Sequence, residues 1–366
     1  MALNAGAKKG GFYHCTGEGG LSPYHLKNGG DLVWQIGTGY FGCRKDDGTF
    51  YADLFQEQAT NDAVKMIEIK ISQGAKPGHG GVLPAAKVTE EIARTRKVPM
   101  GQDCISPPGH SAFDSPRGLC EFIARLRELC GGKPVGFKLC IGHPTEFLAV
   151  CKAMLATNIL PDFITVDGAE GGTGAAPMEF SDSLGAPLKG GLMFVHNALV
   201  AINLRDKIKI AASGKVSSAF GIARNLALGA DWCNAARGFM MAVGCIQAQT
   251  CHTNECPVGV ATQDHLRQRA LDVGDKSERT YHFHRLTMET LSEIVAAAGL
   301  DHADQLRPWH IWMRVNRTEV MPYDEAFLFE SPGALLNDST QHLQLKRFWD
   351  LASADTFAPA AAREAY

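Results

Sequence analysis

Residues 207–238 read KIKIAASGKVSSAFGIARNLALGADWCNAARG. Lys207–Ser213 is an Ile/Ala-rich run that closes on the polar turn Ser213-Gly214-Lys215. Ser217–Leu228 then places Ile222, Leu226 and Ala227 at helical spacing, and Trp232–Ala236 is a second β-rich run ending at Arg237-Gly238. A strand, a helix and a second strand in this order form the repeating unit of a parallel sheet joined by crossover helices.

The alternation continues toward the N-terminus. Strands are predicted at Phe12–Thr16, Lys65–Ser72, Val135–Cys140 and Phe163–Asp167, with a short one around Met100–Ile105. Pro116–Leu129 gathers Leu119, Phe122, Ile123 and Leu126 on one helical face, and Thr145–Ala156 gathers Phe147, Val150 and Leu155. Nearly every strand is followed by a polar or glycine-rich segment: TGEGG at 16–20, SQGAKPGHGG at 72–81, DGAEGGTGAAP at 167–177, ASGKVSS at 212–218 and AARG at 235–238. A doubly wound sheet and a (β/α)8 barrel both fit the alternation. No G-x-G-x-x-G lies between a strand and a helix, and polar loops at the C-terminal ends of many strands are the habit of the barrel. The fold expected is α/β, a (β/α)8 TIM barrel. Six strands and a short seventh fall below the eight a closed barrel needs, so the first strand is expected to be missing. Residues 1–262 are expected to form the barrel. Residues 263–366 should be a helical extension packed on it, free of strands beyond Ala261, with Ser277–Ala298 one long helix and 353–366 frayed.

The 366 residues are 45% hydrophobic and 20% charged, with a net charge of -3, which excludes a disordered chain. No basic cluster marks a nucleic-acid footprint. The N-terminus has no apolar signal region, and the most apolar stretch, Gly191–Leu204, is too short to cross a bilayer. A cytoplasmic protein with no nucleic-acid or membrane partner is expected.

Eight of the eleven cysteines are scattered (Cys15, Cys43, Cys104, Cys120, Cys130, Cys140, Cys151, Cys233) and read as buried, inert thiols. The other three crowd into Cys245-x5-Cys251-x4-Cys256-Pro257. Three soft thiolates in one short loop can wrap a small inorganic cluster. A structural zinc would want paired hooks and a fourth ligand, for which His252 beside Cys251 is poorly placed, and three unrelated thiols are the plain reading. Gly214, Lys215, Ala236 and Arg237 lie on the loops after the last two strands, where barrels commonly bind phosphate, although such loops are also ordinary turns. Lys138, within the apolar run 135–139, is either a snorkelling lysine or a cation at the mouth facing a flavin N1–O2 edge. Lys70, Gln73 and Lys76 suit a dicarboxylate or a phosphate, or else a solvated loop. Glu18 is a single carboxylate in a glycine loop.

The runs TGEGG, KISQGAKPGHGG, FKL, DGAEGGTGAAP, ASGK and CIQAQTCHTNECPVGVATQ resemble the synthase domain of glutamate synthase, over roughly residues 5–315. The likeness is nearest to its short relatives that contain the FMN-binding barrel alone. The resemblance implies FMN, 2-oxoglutarate and a [3Fe-4S] cluster held by Cys245, Cys251 and Cys256. It makes Lys138 the flavin-facing lysine and assigns Gly214, Lys215, Ala236 and Arg237 to the phosphate loops. Lys70, Gln73 and Lys76 become the substrate loop, and Glu18 and Lys138 the catalytic pair.

The activity implied is that of an iron–sulfur flavoprotein oxidoreductase acting on CH–NH2 donors. It would aminate 2-oxoglutarate reductively through 2-iminoglutarate to L-glutamate. Alternatives are an N-alkylglutamate synthase-type enzyme and an electron-transfer subunit of a larger complex. Ammonia or another amino donor, an electron donor (ferredoxin or a reductase subunit) and a possible amidotransferase partner complete the set. Two departures stand out. The large enzymes read KINQGAKPGEGGQLPG where this chain has Ser72, His79, Val82 and Ala85, and SGHDGGTG where it has Asp167, Ala169 and Glu170. The resemblance also implies a strand upstream of TGEGG, so the chain is expected to be a truncated or mis-started form, with Met1–Gly10 the end of the helix that follows that strand. From Arg237 to Cys245 is eight positions, roughly 12 Å along a helix at about 1.5 Å per residue, within reach for electron transfer between flavin and cluster.

Overall fold

A computed structural model describes residues 1–359 other than 173 and 175. Seven strands lie in chain order in one parallel sheet: β1 (His14–Cys15), β2 (Leu32–Ile36), β3 (Val64–Lys70), β4 (Val135–Leu139), β5 (Phe163–Asp167), β6 (Lys209–Ser213) and β7 (Trp232–Asn234). α1 (Ala2–Gly10) precedes β1; α2 (Ala52–Ala59), α3 (Pro116–Leu129), α4 (Pro144–Thr157), α5 (Leu188–Ala201) and α6 (Ala219–Ala227) join successive strands from β2 to β7, and α7 (Ala236–Ala242) follows β7. This is an incomplete (β/α)8 barrel, as expected from the alternation.

Two strand assignments change. β2 was not expected: Leu32-Val33-Trp34-Gln35-Ile36 is buried at all five positions, so it shows none of the alternation that marks a half-exposed strand. The short strand expected near Met100–Ile105 is outside the barrel. Cys104–Ile105 pairs antiparallel with Val82–Leu83 in a separate two-stranded sheet. With β2 added and that strand removed, the barrel still stops one short of eight.

The core follows from side-chain chemistry. α3 begins at Pro116 under a Ser115 cap that accepts from Gly118 N, and it buries Leu119, Phe122, Ile123 and Leu126, the face predicted. Trp34 and Phe55 stack at 5.3 Å inside the sheet–helix layer. Along the strand ends, Lys70 is in register with Lys138 and Lys138 with Thr165, so polar side chains of three neighbouring strands share one level.

β1 and β7 share no backbone ladder. Tyr13 crosses the seam instead: its hydroxyl accepts from Trp232 Nε1 at 2.9 Å and donates to Asn234 Oδ1. α8 (Val273–Ala297) packs against α1, α6 and α7 outside this seam. The C-terminal part is not strand-free, because Trp312–Arg314 pairs with Val320–Pro322. α9 (Leu343–Leu351) packs on α4, and Arg117 pairs with Asp355 at 2.8 Å. Residues 360–366 of the stretch expected to fray lie outside the described residues. Among the described residues no helix is long and apolar enough to cross a membrane.

Candidate functional site

β3 delivers Lys70 to the mouth. Its Nζ lies 3.1 Å from Glu18 Oε1 and 2.8 Å from Gln73 Oε1, so two separate glycine-rich loops meet on one cation. Lys76 is 4% exposed and donates to Gly80 O at 2.9 Å. Burial lowers its pKa from the usual lysine value, with Glu18 acting against the shift. Ser106 Oγ is buried without a hydrogen-bond partner near Glu18, since a Cβ on Gly81 would meet both. An unpartnered hydroxyl beside two lysines, an amide and a carboxylate is a set of groups disposed to receive a polar ligand. His110 fixes the end of β3: its Nε2 donates to Lys70 O at 2.9 Å and its Nδ1 accepts from Tyr40 OH at 3.0 Å. Burial pushes this imidazole down to about 4, which keeps it neutral.

Behind the mouth, Lys138 Nζ sits 3.4 Å from Asp167 Oδ2. Burial alone would lower its pKa, but Asp167 and then Glu68 outweigh it, and the lysine lies above its usual value. Glu68 is 2% exposed and is held by Gln35 Nε2 at 2.5 Å and Thr165 Oγ1 at 2.6 Å. A cavity of about 490 Å³ opens against these groups. Its wall carries Gln35, Glu68, Lys138, Ser213, Val216–Ser218 and Asn234–Ala236, and it runs out through the seam to Phe283 and Met288 of α8. His14 Nδ1, also on the wall, is buried without a partner. The size is that of a cofactor or small-ligand site. Of the expected phosphate residues, Ala236 lines the cavity. Gly214, Lys215 and Arg237 stand off the lining, and Lys215 pairs with Asp182 at 3.2 Å on the surface.

Cys245, Cys251 and Cys256 line the wall of a second, small cavity. Cys245 Sγ accepts from Gln247 N at 3.4 Å. Burial acts to raise the Cys256 thiol, but backbone N–H groups of Ala261, Val258, Val260 and Gly259 outweigh it and hold its pKa below the usual value. Thr250 Oγ1, on the same wall, is buried and unpartnered. Among the described residues no three His, Cys, Asp or Glu side chains are grouped closely enough for one metal ion. A cluster spreads its thiolates over separate irons, so cysteines around a shared cavity suit it better than a single ion, and Thr250 would offer a donor to a bridging sulfide. His252 is exposed. α7 ends at Ala242, so the helical rise assumed from Arg237 does not run as far as Cys245.

Sequence reasoning missed Glu68, Asp167, Ser106 and His110 as members of the site. Asp167 had been noted only as a departure. Glu68 is an acid at a fully buried strand position, a signal that needs the strand boundaries before it can be seen.

The family model "Conserved region in glutamate synthase" matches residues 1–301. A glutamate synthase large subunit-like protein of Bacillus subtilis is 44% identical over 86% of this chain and 60% of its own. An archaeal glutamate synthase [NADPH] of Methanocaldococcus jannaschii is 35% identical over 84% and 58%. A ferredoxin-dependent glutamate synthase of Cyanidium caldarium is 37% identical over 75% of this chain and 18% of its own. The chain thus spans less than two thirds of the length of these relatives. Among solved structures, a flavocytochrome b2 variant with benzoylformate has a TM-score of 0.50 at 14% identity, over 93% of this chain and 69% of that one, a likeness of fold.

Proposed function

The chain belongs to the glutamate synthase family, and from that premise we propose that it is an iron–sulfur flavoprotein oxidoreductase that converts 2-oxoglutarate and ammonia, or another amino donor, to L-glutamate. One observation carries the reading: the cation- and amide-bearing mouth at Lys70, Gln73 and Lys76 stands over a cofactor-sized cavity with Lys138 on its wall. FMN bound in that cavity supplies hydride transfer, and a [3Fe-4S] cluster on Cys245, Cys251 and Cys256 supplies one-electron relay from an external donor such as a ferredoxin or a reductase subunit. Lys138 would serve the flavin's developing negative charge, and Ala236, the one expected phosphate residue on the cavity wall, would mark the phosphate end together with Ser217 and Ser218.

Lys70 and Lys76 bind the two carboxylates of the keto-acid, with Gln73 and the free Ser106 hydroxyl orienting it. Ammonia, free or released from the amino donor, condenses with the keto-acid, releasing water, to give 2-iminoglutarate. Glu18, next to Lys70, holds the proton exchanged with the carbonyl oxygen and imine nitrogen. Addition of a hydride and a proton to the imine completes glutamate, using two electrons from the donor. The test is an anaerobic assay of the flavin- and iron-loaded protein with 2-oxoglutarate, ammonium and a chemical low-potential reductant. Glutamate should form; its absence with both cofactors present and reduced overturns the reading.

A further inference from the structure

Lys87 is 8% exposed, and its ammonium makes no carboxylate ion pair among the described residues. Its Nζ donates to Cys251 O at 2.7 Å and to Ala261 O at 3.1 Å. These carbonyls bracket Cys256 in the chain. The turn that carries Lys87 is braced by two hydrogen bonds: Lys87 N donates to Pro84 O at 2.8 Å and Ala85 N donates to Asp103 Oδ1 at 2.7 Å. A buried ammonium without an anion is costly, and two carbonyl dipoles offset only part of that cost. The opposite charge has to come from the loop it grips, which carries Cys251 and Cys256. An anionic iron–sulfur centre on these cysteines is the partner that completes the charge balance.

We propose that Lys87 is a positioning residue for that centre. It clasps the loop on both sides of Cys256 so that the cysteines share one cavity, and its buried charge favours the more anionic reduced cluster. Net charge and hydrogen bonding around the sulfurs set the potentials of such centres. The proposal rests on the cluster assignment made above.

The test compares wild type, Lys87→Gln, Lys87→Met and Lys87→Arg as purified, anaerobically reconstituted full chains. Iron, acid-labile sulfide and flavin are counted, and the cluster is titrated against a reference couple by electron paramagnetic resonance. In the two neutral variants the equilibrium constant for cluster reduction should fall at least about tenfold, 59 mV for one electron. Alternatively they should lose iron and sulfide while keeping flavin. Lys87→Arg, which keeps charge and donors, should stay near wild type; if neutral variants do not fold, this variant alone decides. Neutral variants with wild-type content and potential overturn the proposal, and so does an arginine variant as impaired as they are. A wild-type protein that takes up no iron or sulfide overturns the cluster assignment itself, a distinct outcome.

Discussion

Asp167 and Lys138 meet at 3.4 Å, and the same carboxylate oxygen accepts the Gly74 N–H at 2.7 Å. One buried acid thus touches both the lysine of the cavity and the loop that carries Gln73 and Lys76. The two loops are interlocked by backbone: a Cβ on Gly74 would fall 1.6 Å from Gly168 O. Neither loop can shift without the other. The ion pair also keeps Lys138 charged, because a pKa held above the usual lysine value leaves the ammonium protonated throughout the physiological range.

Asp167→Asn removes the charge and keeps a group that can accept from Gly74. The flavin midpoint potential should rise, since Lys138 then acts on the flavin with less compensation. Asp167→Ala additionally frees Gly74 and leaves the lysine poorly paired, costing about 3 kcal/mol in chemical denaturation. A flavin potential identical in Asp167→Asn and wild type would remove Lys138 from the flavin's surroundings.

Lys70→Ala and Lys76→Ala should raise the apparent KM for 2-oxoglutarate by about 10- to 100-fold, the loss of one charged hydrogen bond, with a smaller change in kcat. Glu18→Gln should act mainly on kcat, as it removes a proton carrier and leaves the lysines in place. Steady-state kinetics with varied keto-acid separate the two. Normal KM in both lysine variants would take the loop out of the substrate site.

Replacing Cys251 by Ala should abolish iron and labile sulfide and leave flavin bound, because Cys251 lines only the small cavity, whose wall meets that of the large one at Met240. Metal and flavin analysis of the same sample checks this. Stoichiometric zinc without sulfide in the wild type would favour a structural ion.

The barrel was legible because its strands and helices carry contrasting periods, and α3 is recovered residue for residue. β2 was not, since burial on both faces erases alternation and Gln35 interrupts the apolar run. Lys70, Gln73, Lys76 and Glu18 were legible from loop composition, and the structure joins Lys70 to both Glu18 and Gln73. Glu68 and Lys87 were not, because what marks them is a buried charge and its partners, which depend on chain segments far apart in sequence. Glu170, singled out as a departure, accepts from Leu188 N at 2.8 Å and so serves the start of α5.

Four histidines, His14, His25, His110 and His196, are pushed by burial from 6.5 down to about 4. A depressed folded-state value means the unfolded chain takes up the proton first. The stability these residues give is therefore intact above pH 6.5 and is lost as pH falls toward 4. Urea midpoints should decline through that window. Replacing His110 with Gln should flatten the decline, by up to about 3 kcal/mol at its acid end. A midpoint independent of pH between 6.5 and 4 would contradict neutral burial.

The seam between β1 and β7 is held by side chains where a closed barrel would use backbone. Trp232 Nε1 donates to the Tyr13 hydroxyl at 2.9 Å, that hydroxyl donates to Asn234 Oδ1, and the neighbouring Phe12 stacks on Phe239 at 5.2 Å and His284 at 4.1 Å. Tyr13→Phe keeps the ring and leaves the indole N–H and the amide oxygen without their shared partner, a cost of about 2 kcal/mol. The same residues line the large cavity, so flavin release should accelerate along with the loss of stability. Tyr24→Phe, which removes an exposed hydroxyl bonded to Glu91 at 3.1 Å, serves as the control and should change neither. Urea unfolding and flavin fluorescence on release measure both effects. If Tyr13→Phe matches the control in both, the side-chain bridge is incidental and the apolar packing of α1 and α8 holds the seam.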